Sequence, residues 1–205
     1  MARTLATGLV LVLLAGCNQG GAMMAPPVPA DGQRQVAAVQ AATAQLRTGD
    51  LVFRRGRDVV SAMVLSQQAG SRFSHVGVVV VDADRLDVVH AMPEEPGSPG
   101  GVRREPLAAF LHPDVATDAA SYRLPGLDAD AVLAQLLPRI GAPFDMAFEL
   151  STPQRVYCTE LAMDALTAGG AQLAPVSVRA PLLREPVVTP EGLRQVPGLV
   201  VLAGD

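Results

Sequence analysis

Residues 75 to 91 read HVGVVVV, then DADR, then LDVVHA, two β-branched runs separated by four polar or small residues. Branched side chains lose rotamer freedom in a helix and pack well on a pleated surface, so each run is a strand and the interruption a turn. Strands joined this closely pair antiparallel, because a parallel return needs a crossover of a dozen or more residues. Pairing Val80 with Arg85 sets His75 opposite His90, with Cβ atoms on the order of 5 Å apart. Two of the three histidines in the chain then meet across one hairpin, and one ring can fix the tautomer of the other.

Other elements flank this hairpin. Residues 34–47 carry Val36, Val39 and Leu46 on one stripe and predict a helix, and 50–54 (DLVFR) a short strand. A second helix spans 58–68, with Asp58 as its cap and Gly70 as its stop. Strands follow at 102–105 and 120–124 around a short helix at 107–111, and a helix at 128–137 is stopped by Pro138. Pro143 and Pro153 punctuate a loop over 141–156, and 157–168 (YCTELAMDALTA) form a helix closed by Gly169 and Gly170. The stretch 171–205 holds five prolines and one clear strand, 199–203. Strands and helices mixed in this way give an α+β domain.

The opening MARTLATGLVLVLLAGC has a basic Arg3, an apolar run and small residues before Cys17, the layout of an export leader too short to span a bilayer. Leu14-Ala15-Gly16-Cys17 resembles the lipobox of bacterial lipoproteins, whose cysteine is acylated and becomes the mature N-terminus. The division expected is a leader at 1–16, a lipidated N-terminus and Gly/Pro-rich tether at 17–33, and one folded domain at 34–205. Asn18 differs from the aspartate that retains such lipoproteins at the inner membrane, so outer-membrane placement facing the periplasm is expected.

Composition removes several function classes. A net charge of -4 supplies no basic footprint for nucleic acid. All 16 basic residues are arginine, which excludes a Schiff-base or phosphate-loop lysine. With 3% aromatics and no tryptophan, a sugar groove paved with stacked rings is hard to build. His75, His90, His112 and scattered carboxylates form no compact ligand motif, so neither a metal nor another cofactor is expected.

Once Cys17 is acylated, Cys158 is a lone thiol in an oxidising compartment. It stands at a helix start, where free backbone amides favour an anion and could also bind an oxyanion. As a nucleophile it would need a base and an orienting group, and as a core residue it would be inert. Held as an ion pair with His75, it would be alkylated well below about pH 8.5. Asp50, Tyr157 and Glu160 are supporting candidates, with capping or loop-closing roles as the alternative. Arg54, Arg55 and Arg57 could grip a carboxylate or phosphate, or form a solvated face.

The segments Gly49-Asp50-Leu51-Val52-Phe53, Ser74-His75-Val76-Gly77-Val78 and Val89-His90-Ala91 resemble the barrel half of NlpC-type papain-like peptidases. Gly141-Ala142-Pro143-Phe144-Asp145 and Tyr157-Cys158-Thr159-Glu160-Leu161 resemble their nucleophile half. Histidines first and cysteine last is the order of the circularly permuted branch, the YiiX/YaeF-type hydrolases and the lecithin retinol acyltransferase relatives. The resemblance implies a permuted papain-like fold, a small antiparallel barrel or sheet packed on helices. It also implies Cys158 as nucleophile, His75 as general base and His90 in the orienting position, where the YiiX type often has glutamate. The activity implied is amide hydrolysis through a thioester on a small peptide, a cell-wall peptide or an N-acyl substrate. The alternatives are a lipid acyltransferase or deacylase using the same site, and a non-catalytic binding module.

Overall fold

A computed structural model describes residues 30–95, 97–180 and 183–205. The leader, Cys17 and most of the tether lie outside the described residues. The first helix, α1 (Gly32–Ala41), begins two residues before the expected domain boundary at 34.

The strands are β1 (Leu51–Arg55), β2 (His75–Asp82), β3 (Arg85–Met92), β4 (Gly101–Pro106), β5 (Asp118–Arg123), β6 (Ser177–Val178), β7 (Val187–Val188) and β8 (Val200–Ala203). Six of them form one antiparallel sheet in the order β4-β3-β2-β1-β5-β8, while β6 and β7 pair separately. Because β4 and β8 are edges, the sheet is open and not a closed barrel.

The remaining helices are α2 (Val59–Ser66), α3 (Leu107–Phe110), α4 (Ala129–Leu136), α5 (Cys158–Ala168) and α6 (Pro190–Arg194). Asp58 caps α2 by accepting the Ser61 amide at 2.7 Å, which satisfies one of the free donors of the first turn. Pro138 does not end α4 abruptly, since Leu137–Arg139 continues as a 3-10 turn with the proline near its start, where no amide donor is needed.

The sheet is covered on both faces. Leu51, Phe53, Val76, Val78 and Val80 pack toward α4 and α5, while Val52, Val79 and Val88 pack toward α1 and α3. The period-two alternation along each strand divides its residues between these two cores.

The β2–β3 register differs from the expected one. Asp82 pairs with Arg85, Val81 with Leu86 and Val78 with Val89, so the turn is the two residues Ala83 and Asp84, with Ala83 at φ 51. Continuing this ladder places Gly77, not His75, across from His90. A shift of two residues leaves every side chain on its expected face, so the two histidines still share a face and become diagonal neighbours.

Candidate active site

His75 opens β2 and faces Arg54 across the β1 ladder. Its Nε2 lies 2.8 Å from His90 Nδ1, and the rings meet edge-on with centroids 5.0 Å apart. A long polar side chain reaches a diagonal partner across adjacent strands. The room comes from Gly77, where an added Cβ would stand 2.2 Å from Val88 Cγ1 and 3.2 Å from His90 Cβ.

The same diagonal recurs one strand further. His90 pairs with Arg103 across β3 and β4, and Glu105, two residues on, reaches His90 Nε2 at 3.0 Å. Sequence reasoning missed Glu105; it could be found only from the β3–β4 register. The orienting position is thus filled by His90, with the Glu105 carboxylate behind it.

A carboxylate only accepts, so this contact places the proton on His90 Nε2 and leaves Nδ1 as an acceptor. His75 Nε2–H then donates to it, and His75 Nδ1 keeps an open lone pair. Arg103 lies on the outer side, its Nε 3.6 Å from the Glu105 carboxylate. Its 3.5 Å approach to His90 Nε2, longer than the 3.0 Å contact of Glu105, is the weaker competitor. Phe110 of α3 packs on both imidazoles, at 5.6 and 5.1 Å between centroids.

Burial pushes His75 well below its ordinary value, and the positive charge of Arg54 adds to this. Burial also takes His90 down to about 4 despite the opposing Glu105. Burial alone would raise Glu105, but the hydrogen bond and charge of His90, with Arg103 and Arg54, hold it below its ordinary value. At neutral pH the site therefore holds two neutral imidazoles and a carboxylate.

Cys158 is the first residue of α5 and is buried. It lines one small cavity with His75, Arg54, Ser74, Phe144 and Phe148. Burial pushes its thiol up to about 11, opposed in part by the backbone amides of Val76, Thr159 and Cys158 itself. Desolvation outweighs the helix terminus, which favours a resting thiol beside a neutral imidazole over an ion pair with His75.

Tyr157 is the N-cap of α5, and its amide donates to Glu160 Oε2 at 3.3 Å, the helix-starting half of a capping box. Burial pushes Glu160 up to about 7. Asp50 is not brought to the site. It sits at the far end of β1 and accepts Arg123 Nε at 2.7 Å and the Arg47 amide at 2.8 Å. His112 is exposed on the surface beside Asp114. Arg54 and Arg55 are buried and so do not form a solvated face, whereas Arg57 donates to the Pro113 carbonyl at an exposed position.

Cys158 also lines a second cavity, of about 270 Å³. Its walls are almost wholly apolar and include Met63 and Val64 of α2, Phe148, Tyr157, and Val187 and Val188 of β7. Thr159 ties β7 to α5 by donating to the Val188 carbonyl at 2.6 Å. Phe148 stands in the left-handed region at φ 55 and stacks edge-on against Tyr157 at 5.5 Å. Strained backbone of this kind collects at functional sites.

Among the described residues, no three or more His, Cys, Asp or Glu side chains are grouped to hold a metal ion. His90 has both nitrogens committed, so His75 Nδ1 and the free Cys158 thiol are the donors left at the cavity among the described residues, fewer than the three or four protein ligands that a resident ion needs.

Residues 45–186 match the family described as permuted papain-like amidase enzyme, YaeF/YiiX, C92 family. The structure is similar to that of YiiX from Escherichia coli O157:H7, a protein described as a metalloprotein, with a TM-score of 0.62 and 21% sequence identity over 78% of this chain and 98% of that one. No curated protein matches the sequence.

Proposed function

Because the chain belongs to the permuted papain-like amidase family, whose members are hydrolases, we propose that it cleaves N-acyl amides through Cys158, with His75, His90 and Glu105 as a proton-holding relay. The observation that carries this reading is the apolar cavity that Cys158 helps to line. A cell-wall peptide would favour a narrow polar cleft, whereas an apolar acyl group fills a dry pocket of this size and places its carbonyl carbon at the sulfur.

His75 Nδ1 takes the thiol proton while sulfur attacks the carbonyl carbon, and the carbonyl π pair moves onto oxygen. Backbone amides at the start of α5 are the donors for this oxyanion. Collapse breaks the carbon–nitrogen bond, and the leaving amine takes the proton from His75. Water then gives a proton to His75, attacks the thioester, and restores the thiol with release of the acid. Glu105 and His90 hold the tautomer that keeps His75 Nδ1 open. No step runs through a metal.

A transfer reaction uses the same acyl pocket and the same thioester, with an amine or alcohol in place of water. Acyl chains of increasing length on a common amide test both readings. Turnover that rises with chain length, with an acyl adduct on Cys158 by intact mass, is the expected result. Activity surviving in Cys158→Ala would overturn the nucleophile assignment, and product appearing only with an added acceptor would move the enzyme to the transferases.

The proposed location is the outer membrane facing the periplasm, through acylated Cys17, on the strength of Leu14-Ala15-Gly16-Cys17. Several acyl chains on one residue anchor stably, since each buried methylene contributes about 0.8 kcal/mol. A mature N-terminus at another, unmodified residue would refute it.

A further inference from the structure

Arg54 is 4% exposed, yet among the described residues no carboxylate is in ion-pair contact with it. Its Nη1 donates to the Phe110 carbonyl at 2.8 Å, its Nη2 reaches Met92 sulfur at 3.4 Å, and its guanidinium lies 4.4 Å above the Phe110 ring. Nε has no partner. A buried guanidinium with a donor left over is costly unless a charge or acceptor arrives in the working state. The side chain lines the cavity that His75 and Cys158 share.

We propose that Arg54 is a positioning residue for the reaction: its fixed positive charge beside the shared cavity supports the negative charge that passes from the sulfur to the carbonyl oxygen. This rests on the amidase reading and assigns the role that imidazolium plays where the histidine is charged. Here both rings are neutral at rest, so the permanent cation is the guanidinium. Burial lowers Arg54 only to about 10, which leaves it charged at neutral pH, and its field opposes the upward push on the thiol.

The other charged or titratable groups around the cavity are accounted for. Asp58 of α2 is engaged with the Ser61 amide and hydroxyl. Glu105 and Arg103 of β4 oppose one another beyond His90. Tyr157 and Glu160 belong to the start of α5 itself. Asp58 is the only carboxylate among the residues that line the shared cavity.

The test is the rate of Cys158 alkylation by iodoacetamide against pH in the purified full chain. Arg54→Met removes the charge and keeps the length, so its profile should move up by about one pH unit, a roughly tenfold slower reaction at any pH below the midpoint. Arg54→Lys keeps a charge and should stay within about threefold of the wild type. A folded Arg54→Met with the wild-type profile overturns the proposal.

If Arg54→Met does not fold, His75→Ala decides the matter without touching the arginine. With the charge on Arg54, the profile stays where the wild type has it; a rise of about one unit or more would assign the charge to imidazolium and overturn the proposal. Failure of the amidase reading is a separate result, namely activity retained in Cys158→Ala.

Discussion

Glu105 Oε1 lies 3.0 Å from His90 Nε2, and it stands to His90 as His90 stands to His75, two residues beyond the cross-strand partner. Replacing it by Gln supplies an amide that can donate, which lets His90 hold its proton on Nδ1 and turns His75 the wrong way round. Glu105→Gln should lower kcat by about 10- to 100-fold with KM little changed. His75→Ala should lower it by about 100- to 10,000-fold. Steady-state kinetics on an N-acyl amide check both values, and an unchanged kcat in Glu105→Gln would remove Glu105 from the relay.

The two buried rings also set a pH dependence. Both have folded values below the ordinary 6.5, so as pH falls below 6.5 the unfolded chain binds protons that the native chain refuses. Their contribution to stability is fully present above about 6.5 and declines below it, by up to about 1.4 kcal/mol per pH unit for each ring. Urea midpoints should therefore fall between about pH 7 and pH 5. Activity, which needs neutral His75, should keep its acid limb below 6.5 in folded enzyme. A limb at 6.5 would mean that the ring is solvated.

Met63 is half-buried and lines the apolar cavity from α2. A bulkier ring there fills acyl space without touching the polar relay. Met63→Trp should lower kcat/KM for long acyl chains by about 10- to 100-fold while leaving an acetyl amide nearly unaffected. Equal losses on both substrates would place the acyl group elsewhere.

Gly77 is required by contact, not by conformation, since its Cβ would overlap Val88 Cγ1 and crowd His90 Cβ. Gly77→Ala should destabilise the fold by about 1–3 kcal/mol and reduce turnover in the molecules that remain folded, as His90 is displaced. Thermal melting together with kinetics well below Tm separates the two effects. Wild-type turnover there would show that the relay tolerates the shift.

Much of this architecture was legible because it rests on local chemistry. The Val-rich strands, the Asp58 cap and the placement of Cys158 at a helix start follow from propensity and end effects. The register was not, because Ala83 takes a left-handed conformation that no glycine or asparagine announces. Glu105 was hidden for a related reason: its partner depends on how β4 docks after the 93–100 connection. The β7 wall of the acyl cavity is a two-residue strand, too short to show a period. Arg54 lies in a strand where a charged residue reads as solvent-facing, and only the packing of α3 reveals its burial.

The order of elements along the chain bears on when the enzyme becomes reactive. The strands β1 to β4 lie side by side in the sheet in the order in which they occur in the sequence, so a polypeptide emerging from its N-terminus can assemble Arg54, His75, His90 and Glu105 from mostly local contacts. Residue 158 emerges only after that half exists. The sulfur is thus the last of these groups to join the site, and it arrives on the helix whose packing closes that face of the sheet.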